Sequence, residues 1–198
     1  RSLVKRLYDD NLYQFDTPQR SYWEATAGDQ HVPATPLSSD ASCDVAIVGG
    51  GYTGLSAALH LARDHGLDVR VLEAGHFGWG ASGRNGGFCF RGGAGVDAAH
   101  LLKKYGQEPV RELNDAQTEA VELVRDLLGQ EGIDAQKQGD CELIVAHTPR
   151  EFAALKKECE FDTDVLGLDA ELVGQEAFRE RYFDSAEQHG GIVFRPTF

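Results

Sequence analysis

The chain contains no methionine, only two tryptophans and six prolines, and basic residues are outnumbered, 19 against 32 acidic. It also lacks a long hydrophobic run. No apolar stretch approaches the roughly 18 residues that span a bilayer, so no membrane helix is expected. The opening RSLVKRLYDDNLYQF has no apolar core or small-residue cleavage site, which argues against a signal peptide. It has no initiator residue either, so the expectation is that the sequence starts after a trimmed one. The four cysteines, Cys43, Cys89, Cys141 and Cys159, have no paired spacing and no histidine cluster beside them. That excludes a zinc ribbon or a disulfide framework, leaves no metal site to assign and suits a reducing, cytoplasmic setting. Cys89 is expected to be buried and inert.

The net charge of −13 is uneven. Residues 1–106 hold 11 acidic and 10 basic side chains, whereas residues 107–188 hold 21 and 8. So acidic a surface repels phosphate backbones, and nucleic acid is excluded as a partner. Solvation of helix surfaces accounts for the excess, although it would also attract a cationic amine.

What the chain has in plenty is glycine, concentrated in one place. Fourteen of its 23 glycines fall between Gly49 and Gly95. The segment 44–87 reads DVAIVGGGYTGLSAALHLARDHGLDVRVLEAGHFGWGASGRNGG. Residues 43–48 are predicted as a buried strand and 53–65 as a helix with Leu55, Ala58, Leu59 and Ala62 on one face, ended by Gly66. Residues 69–72 are predicted as a second strand. A strand–helix–strand unit of this length implies neighbouring parallel strands joined by a right-handed crossover.

Gly49, Gly51 and Gly54 form G-x-G-x-x-G between the strand and the helix. The first glycine permits the turn, the second lets a diphosphate approach the backbone, and the third lets helix and strand pack closely. Amides at the helix start, including those of Tyr52 and Thr53, then face the phosphates with the helix dipole behind them. Glu73 follows nineteen residues after Gly54, at a strand end next to Ala74. There it can accept hydrogen bonds from ribose hydroxyls and repel a 2′-phosphate, which disfavours NADP.

A second glycine-dense segment follows at once, containing Gly80, Ala81, Ser82, Arg84, Asn85 and Gly86. Such a segment suits FAD, whose diphosphate and ring must be followed by backbone. Ser82 could donate to a phosphate oxygen, Arg84 could bring positive charge to phosphate or to reduced flavin, and Asn85 could bond ring heteroatoms. Two alternatives stay open at this point: an NAD-linked dehydrogenase domain, and a truncated domain that keeps the fold without the cofactor. The first would continue with more strand–helix units, but residues 97–105 and 108–131 read as helices instead. In the second helix Leu113, Ala116, Ala120, Leu123, Val124, Leu127 and Leu128 form the predicted packing face. Residues 142–146 and 191–194 read as strands and 149–160 as a helix. Residues 1–40, with Tyr8, Tyr13, Phe15, Tyr22 and Trp23 as aromatic anchors, read as an arm carrying no chemistry. The seven histidines are scattered, no triad can be built from them, and no catalytic residue is assigned.

The runs DVAIVGGGYTGLSAALHLA and VRVLEAGHFGWGASGRNGG resemble the N-terminal half of FAD-dependent oxidoreductases related to D-amino-acid oxidase. Within that superfamily the resemblance is to gamma-glutamylputrescine oxidase-like amine oxidases, and SYWEATA, GDCELIVA and HGGIVFRP are similar to that branch as well. The resemblance implies a Rossmann-like, α/β FAD-binding domain with a parallel sheet, followed by the beginning of a mixed α+β substrate domain. The implied boundaries are an arm over 1–40, the cofactor domain over 41–135 and the substrate domain from 136. It also implies hydride removal from a carbon bearing an amine or amino-acid nitrogen, with electrons passing by way of flavin to O2 or another acceptor. Family members are longer, so the chain is expected to be an N-terminal portion that does not turn over alone.

Overall fold

The computed structural model describes residues 9–15, 21–26, 35–92 and 98–197. Contacts divide the chain into two compact units, Arg1–Gly87 and Phe88–Phe198.

In the first unit, β1 (Val45–Val48) pairs in parallel with β2 (Val69–Leu72), Val45 opposite Val69 and Val48 opposite Leu72. The helix α2 (Tyr52–His65) joins them, as the apolar runs and the glycine punctuation predict. Gly66 ends it in the left-handed conformation (φ 66°), its amide on the Ala62 carbonyl while that of Leu67 reaches Leu61, the usual satisfaction of a helix's last carbonyls. The expected deep burial is not found. Val45, Ile47, Val69 and Val71 are half-buried, the alternate residues are exposed, and Val48 is 88% exposed. Leu55, assigned to the packing face of α2, is also exposed. A two-stranded sheet carrying one helix covers one face incompletely, and parallel strands need cover on both.

The arm holds more regular structure than its prolines suggest. Asp10–Tyr13 form a 3-10 turn capped by Asp9, and Tyr22–Thr26 form a short helix, α1. Tyr8, Pro18 and Pro33 lie outside the described residues.

The second unit begins its regular structure with α3 (Ala98–Tyr105) and the 24-residue α4 (Gln107–Gln130). Its sheet is antiparallel, with β5 (Gly190–Arg195) between β3 (Glu142–Val145) and β4 (Asp169–Gly174). Between these strands come α5 (Pro149–Asp164) and α6 (Gln175–Arg181). The central strand is the core, with Ile192 and Val193 completely buried. Ile192 and Phe194 pack with Cys159, Leu155 and Leu168, whereas Val193 packs with Val173, Phe178 and Leu143. Strand alternation thus sends successive residues into two separate clusters. Thr148 caps α5 by accepting the Glu151 amide at 3.1 Å, and Pro149 occupies the first turn.

The predicted packing face of α4 is covered only at its end, where Leu127 and Leu128 are half-buried, and is corrected before that. Leu113, Leu123 and Val124 are exposed, and the covered stripe runs through Val110, Asn114, Gln117 and Val121. Polar contacts flank the buried Val110 and Val121. Gln117 accepts the Gly92 amide at 2.7 Å, and Arg111 Nε donates to the Val165 carbonyl at 2.8 Å. The guanidinium there meets the negative end of α5. These contacts place α4 with the three-stranded sheet, on the Phe88–Phe198 side of the division.

Candidate cofactor site

The glycine turn is built by backbone crowding. Gly49 turns the chain out of β1 at φ 104° and donates to the Leu72 carbonyl at 2.8 Å. A Cβ on Gly54 would overlap the Gly49 carbonyl, so helix and strand approach to a distance that only glycine allows. Gly51 is the residue before the helix, and a Cβ there would stand 3.0 Å from Ser82 Oγ. Among the described residues the first-turn amides of Thr53 and Gly54 have no hydrogen-bond partner. These are the donors a helix start leaves over for an acceptor from elsewhere.

Glu73 is turned into the site. Its Oε2 accepts the Gly50 amide at 2.6 Å and its Oε1 accepts the Gly75 amide at 2.9 Å. Burial pushes this carboxyl's pKa up, but the amides of Gly75, Gly50 and Ala74 outweigh it and hold the group below the ordinary glutamate value. The Gly50 carbonyl in return accepts the Gly78 amide at 2.9 Å, and the Phe77 ring covers Gly50. Beside Glu73 opens a cleft of about 840 Å³ lined by residues 35–39, Ala41, 70–75 and Phe77. Residues 35–39 were read as part of a chemically silent arm; no pattern in TPLSS marks them, and only the fold brings them next to the acid.

The second glycine segment is an ordered structure, centred on a 3-10 turn at Ala81–Gly83 that follows Gly80. Ser82 Oγ accepts the Tyr52 amide at 3.0 Å, so it touches the helix tip and keeps its own O–H to donate. Asn85 ties the loop together. Its Nδ2 donates to the Ser82 carbonyl at 2.9 Å and to the Ala81 carbonyl and Tyr52 hydroxyl at 3.3 Å, while its Oδ1 accepts the Gly87 amide at 2.8 Å. The side chain braces its own loop, as asparagine does in turns. Arg84 lies 4.2 Å from the centroid of the buried Trp79 ring, and its Nη2 is buried with no hydrogen-bond partner among the described residues. Gly86 is exposed at the far end of the segment.

The structure therefore brings Gly49, Gly51, Tyr52, Thr53, Gly54, Glu73, Ala74, Ser82 and Asn85 to one locality. Close glycine contacts, uncommitted first-turn amides and a hydroxyl as donors, and a fixed carboxylate as acceptor, make a set that suits a dinucleotide diphosphate and ribose. Among the described residues no cluster of three or more His, Cys, Asp or Glu could hold a metal ion.

Residues 44–197 match the family of FAD dependent oxidoreductases called DAO. The chain belongs to that family. It is 35% identical over 185 residues to gamma-glutamylputrescine oxidoreductase of Escherichia coli K12, a match covering 91% of this chain and 43% of that protein. It is 43% identical over 121 residues to the probable oxidoreductase OrdL of Rhizobium meliloti, covering 61% of this chain and 27% of that one. The chain thus spans less than half the length of these relatives. In fold it is similar to glycine oxidase from Bacillus cereus, with a TM-score of 0.55 at 21% identity over 79% of this chain and 39% of that one. The Rossmann-like α/β reading of a DAO family member thereby stands. No helix among the described residues is long and apolar enough to cross a membrane.

Proposed function

We propose that this chain holds FAD in an oxidoreductase acting on the C–N bond of a small amine or amino acid. The observation that carries the reading is the pairing of the open first turn of α2 with Ser82 on one side and Glu73 on the other. The amides of Gly51, Thr53 and Gly54 bind the diphosphate, and the Ser82 hydroxyl donates to one of its oxygens. A carboxylate offers about four acceptor positions; the amides of Gly50 and Gly75 take two at Glu73, which leaves room for a ribose hydroxyl. The adenosine lies in the cleft beside it, and the main chain of Gly80, Ala81 and Gly86 follows the flavin side, with Arg84 supplying positive charge. Bound FAD supplies the hydride acceptor, with O2 or another oxidant as the final electron sink.

The family match supports FAD over a nicotinamide cofactor, and the 35% identical relative supports amines over other donors. A reducing, cytoplasmic setting fits four unpaired cysteines. Division into an arm (1–40), cofactor domain (41–135) and the start of a substrate domain (136–198) belongs to the same proposal, and its expected outcome is that limited proteolysis cuts near 135 in preference to 87. The deciding experiment is purification of the protein expressed from its complete gene. Visible flavin absorbance that bleaches anaerobically with a primary or secondary amine, or with an amino acid, is the expected result. A colourless protein that does not take up added FAD refutes the proposal.

A further inference from the structure

The arm read as chemically silent contacts the second glycine segment. From α1, Trp23 Nε1 donates to the Asn85 carbonyl at 2.8 Å, and its indole occupies the space a Cβ on Gly87 would need. Gly87 is itself in the left-handed region, φ 75°, and its amide is the one that Asn85 Oδ1 accepts. One residue along the same helix, Glu24 Oε1 lies 3.9 Å from His76 Nε2. A five-residue helix thus touches the glycine segment at its start and at its end.

That placement matters because of what the segment is made of. Glycines at 75, 78, 80, 83, 86 and 87 give it a large conformational entropy when free. A backbone that must present itself to a ligand gains affinity when something else fixes its shape beforehand. Asn85 fixes the turn from inside. Trp23 fixes the same residue from outside, through its carbonyl, and packs against the glycine that follows.

We infer that Trp23 is a positioning residue for the flavin-side half of the cofactor site, holding the main chain of Asn85–Gly87 in the form that meets FAD. It does this without touching the turn of Gly49, Gly51 and Gly54 or the Glu73 carboxylate, which serve the ADP half. The inference rests on the proposal that this unit binds FAD.

The test compares FAD with ADP on the same protein, expressed from its complete gene, with wild type measured first. Trp23→Phe keeps a ring and loses the N–H, and Trp23→Ala loses both. Net worth of one hydrogen bond predicts about fivefold weaker FAD binding for Trp23→Phe. Loss of the packing as well should make Trp23→Ala weaker by roughly 30-fold or more. ADP affinity should stay within about twofold of wild type in both, since its contacts are untouched. Equal losses for ADP and FAD would show that Trp23 only supports the fold, and unchanged FAD affinity would show that it positions nothing; either overturns the inference. Wild type that fails to bind FAD removes the underlying cofactor reading before any variant is compared. Should Trp23→Ala not fold, the split between FAD and ADP in Trp23→Phe still decides.

Discussion

The Glu73 carboxylate lies 2.6 Å from the Gly50 amide, so the acid at the end of β2 closes over the glycine turn at the end of β1. One side chain thereby ties two strand ends together, and under the proposed function it is also the acceptor offered to a ribose. Glu73→Gln keeps one acceptor oxygen and replaces the other by a donor facing an amide. Cofactor affinity should fall about tenfold or more, given the strength of hydrogen bonds to charged groups. The acid is held below its ordinary value, 4.5, by the amides of Gly75, Gly50 and Ala74 acting against burial. Its contribution to stability is therefore complete above about pH 4.5 and fades as pH falls through the lower folded value. Chemical unfolding of the apoprotein between pH 7 and pH 3 should show that loss in wild type and a flatter profile in Glu73→Gln.

Ser82 offers a test in which the sign of the effect decides. Its Oγ accepts the Tyr52 amide at 3.0 Å. A group that hands a phosphate its O–H should weaken FAD binding when removed, by about tenfold for Ser82→Ala. A plug that competes with phosphate for the helix tip should strengthen it. Titration of apoprotein with FAD, followed by flavin fluorescence, separates the two, and the proposal requires the weakening.

How far the site was legible can be judged from these same residues. The parallel strands, the joining helix and the glycine pattern follow from local apolar runs and glycine spacing, which are properties of neighbouring residues. Burial was less legible, because Val48 and Leu55 look like core residues until the sheet is seen to have two strands and one helix. β4 and α6 were missed for a related reason. DAELVG has little apolar alternation and becomes a strand by pairing with β5, whereas QEAFRER is seven residues long and anchored by the single buried Phe178. The covered stripe of α4 is flanked by the contacts that Gln117 and Arg111 make across the fold. Trp23 and the cleft residues 35–39 and Ala41 join the site over long sequence separations that no spacing rule encodes.

Gly51 and Gly54 should fail differently when replaced. Gly51 has φ −89°, a value any residue adopts, and a Cβ there meets only the Ser82 side chain at 3.0 Å. Gly51→Val should fold and lose the cofactor, since its methyl groups occupy the diphosphate's place and displace Ser82. Gly54→Val drives a side chain into the Gly49 carbonyl, backbone that cannot move aside. It should cost at least about 1–3 kcal/mol as overpacking and lower the melting temperature. Flavin content and thermal unfolding by circular dichroism, measured on both, should give opposite patterns; a normally coloured Gly51→Val would refute the placement of the diphosphate.

In the second unit the informative residue is Asp162 on α5, 8% exposed and without a use in the cofactor site. Burial raises its pKa first, Glu158 adds to the effect, and Arg91 opposes it, leaving the carboxyl at about 6 instead of 3.8. The folded chain therefore keeps a proton that the unfolded chain has already released between those two values. By linkage its contribution is most favourable below about pH 3.8, declines as pH rises through 6, and levels off above that as an ionised carboxylate held in a dry place. Asp162→Asn removes the titration and keeps the shape. At pH 8 the variant should be more stable than wild type by about 1–3 kcal/mol, and at pH 4 the two should nearly coincide. Urea unfolding at those two pH values is the measurement. A variant less stable at pH 8 would mean that the Arg91 attraction outweighs burial and that the acid is held ionised by design of its surroundings.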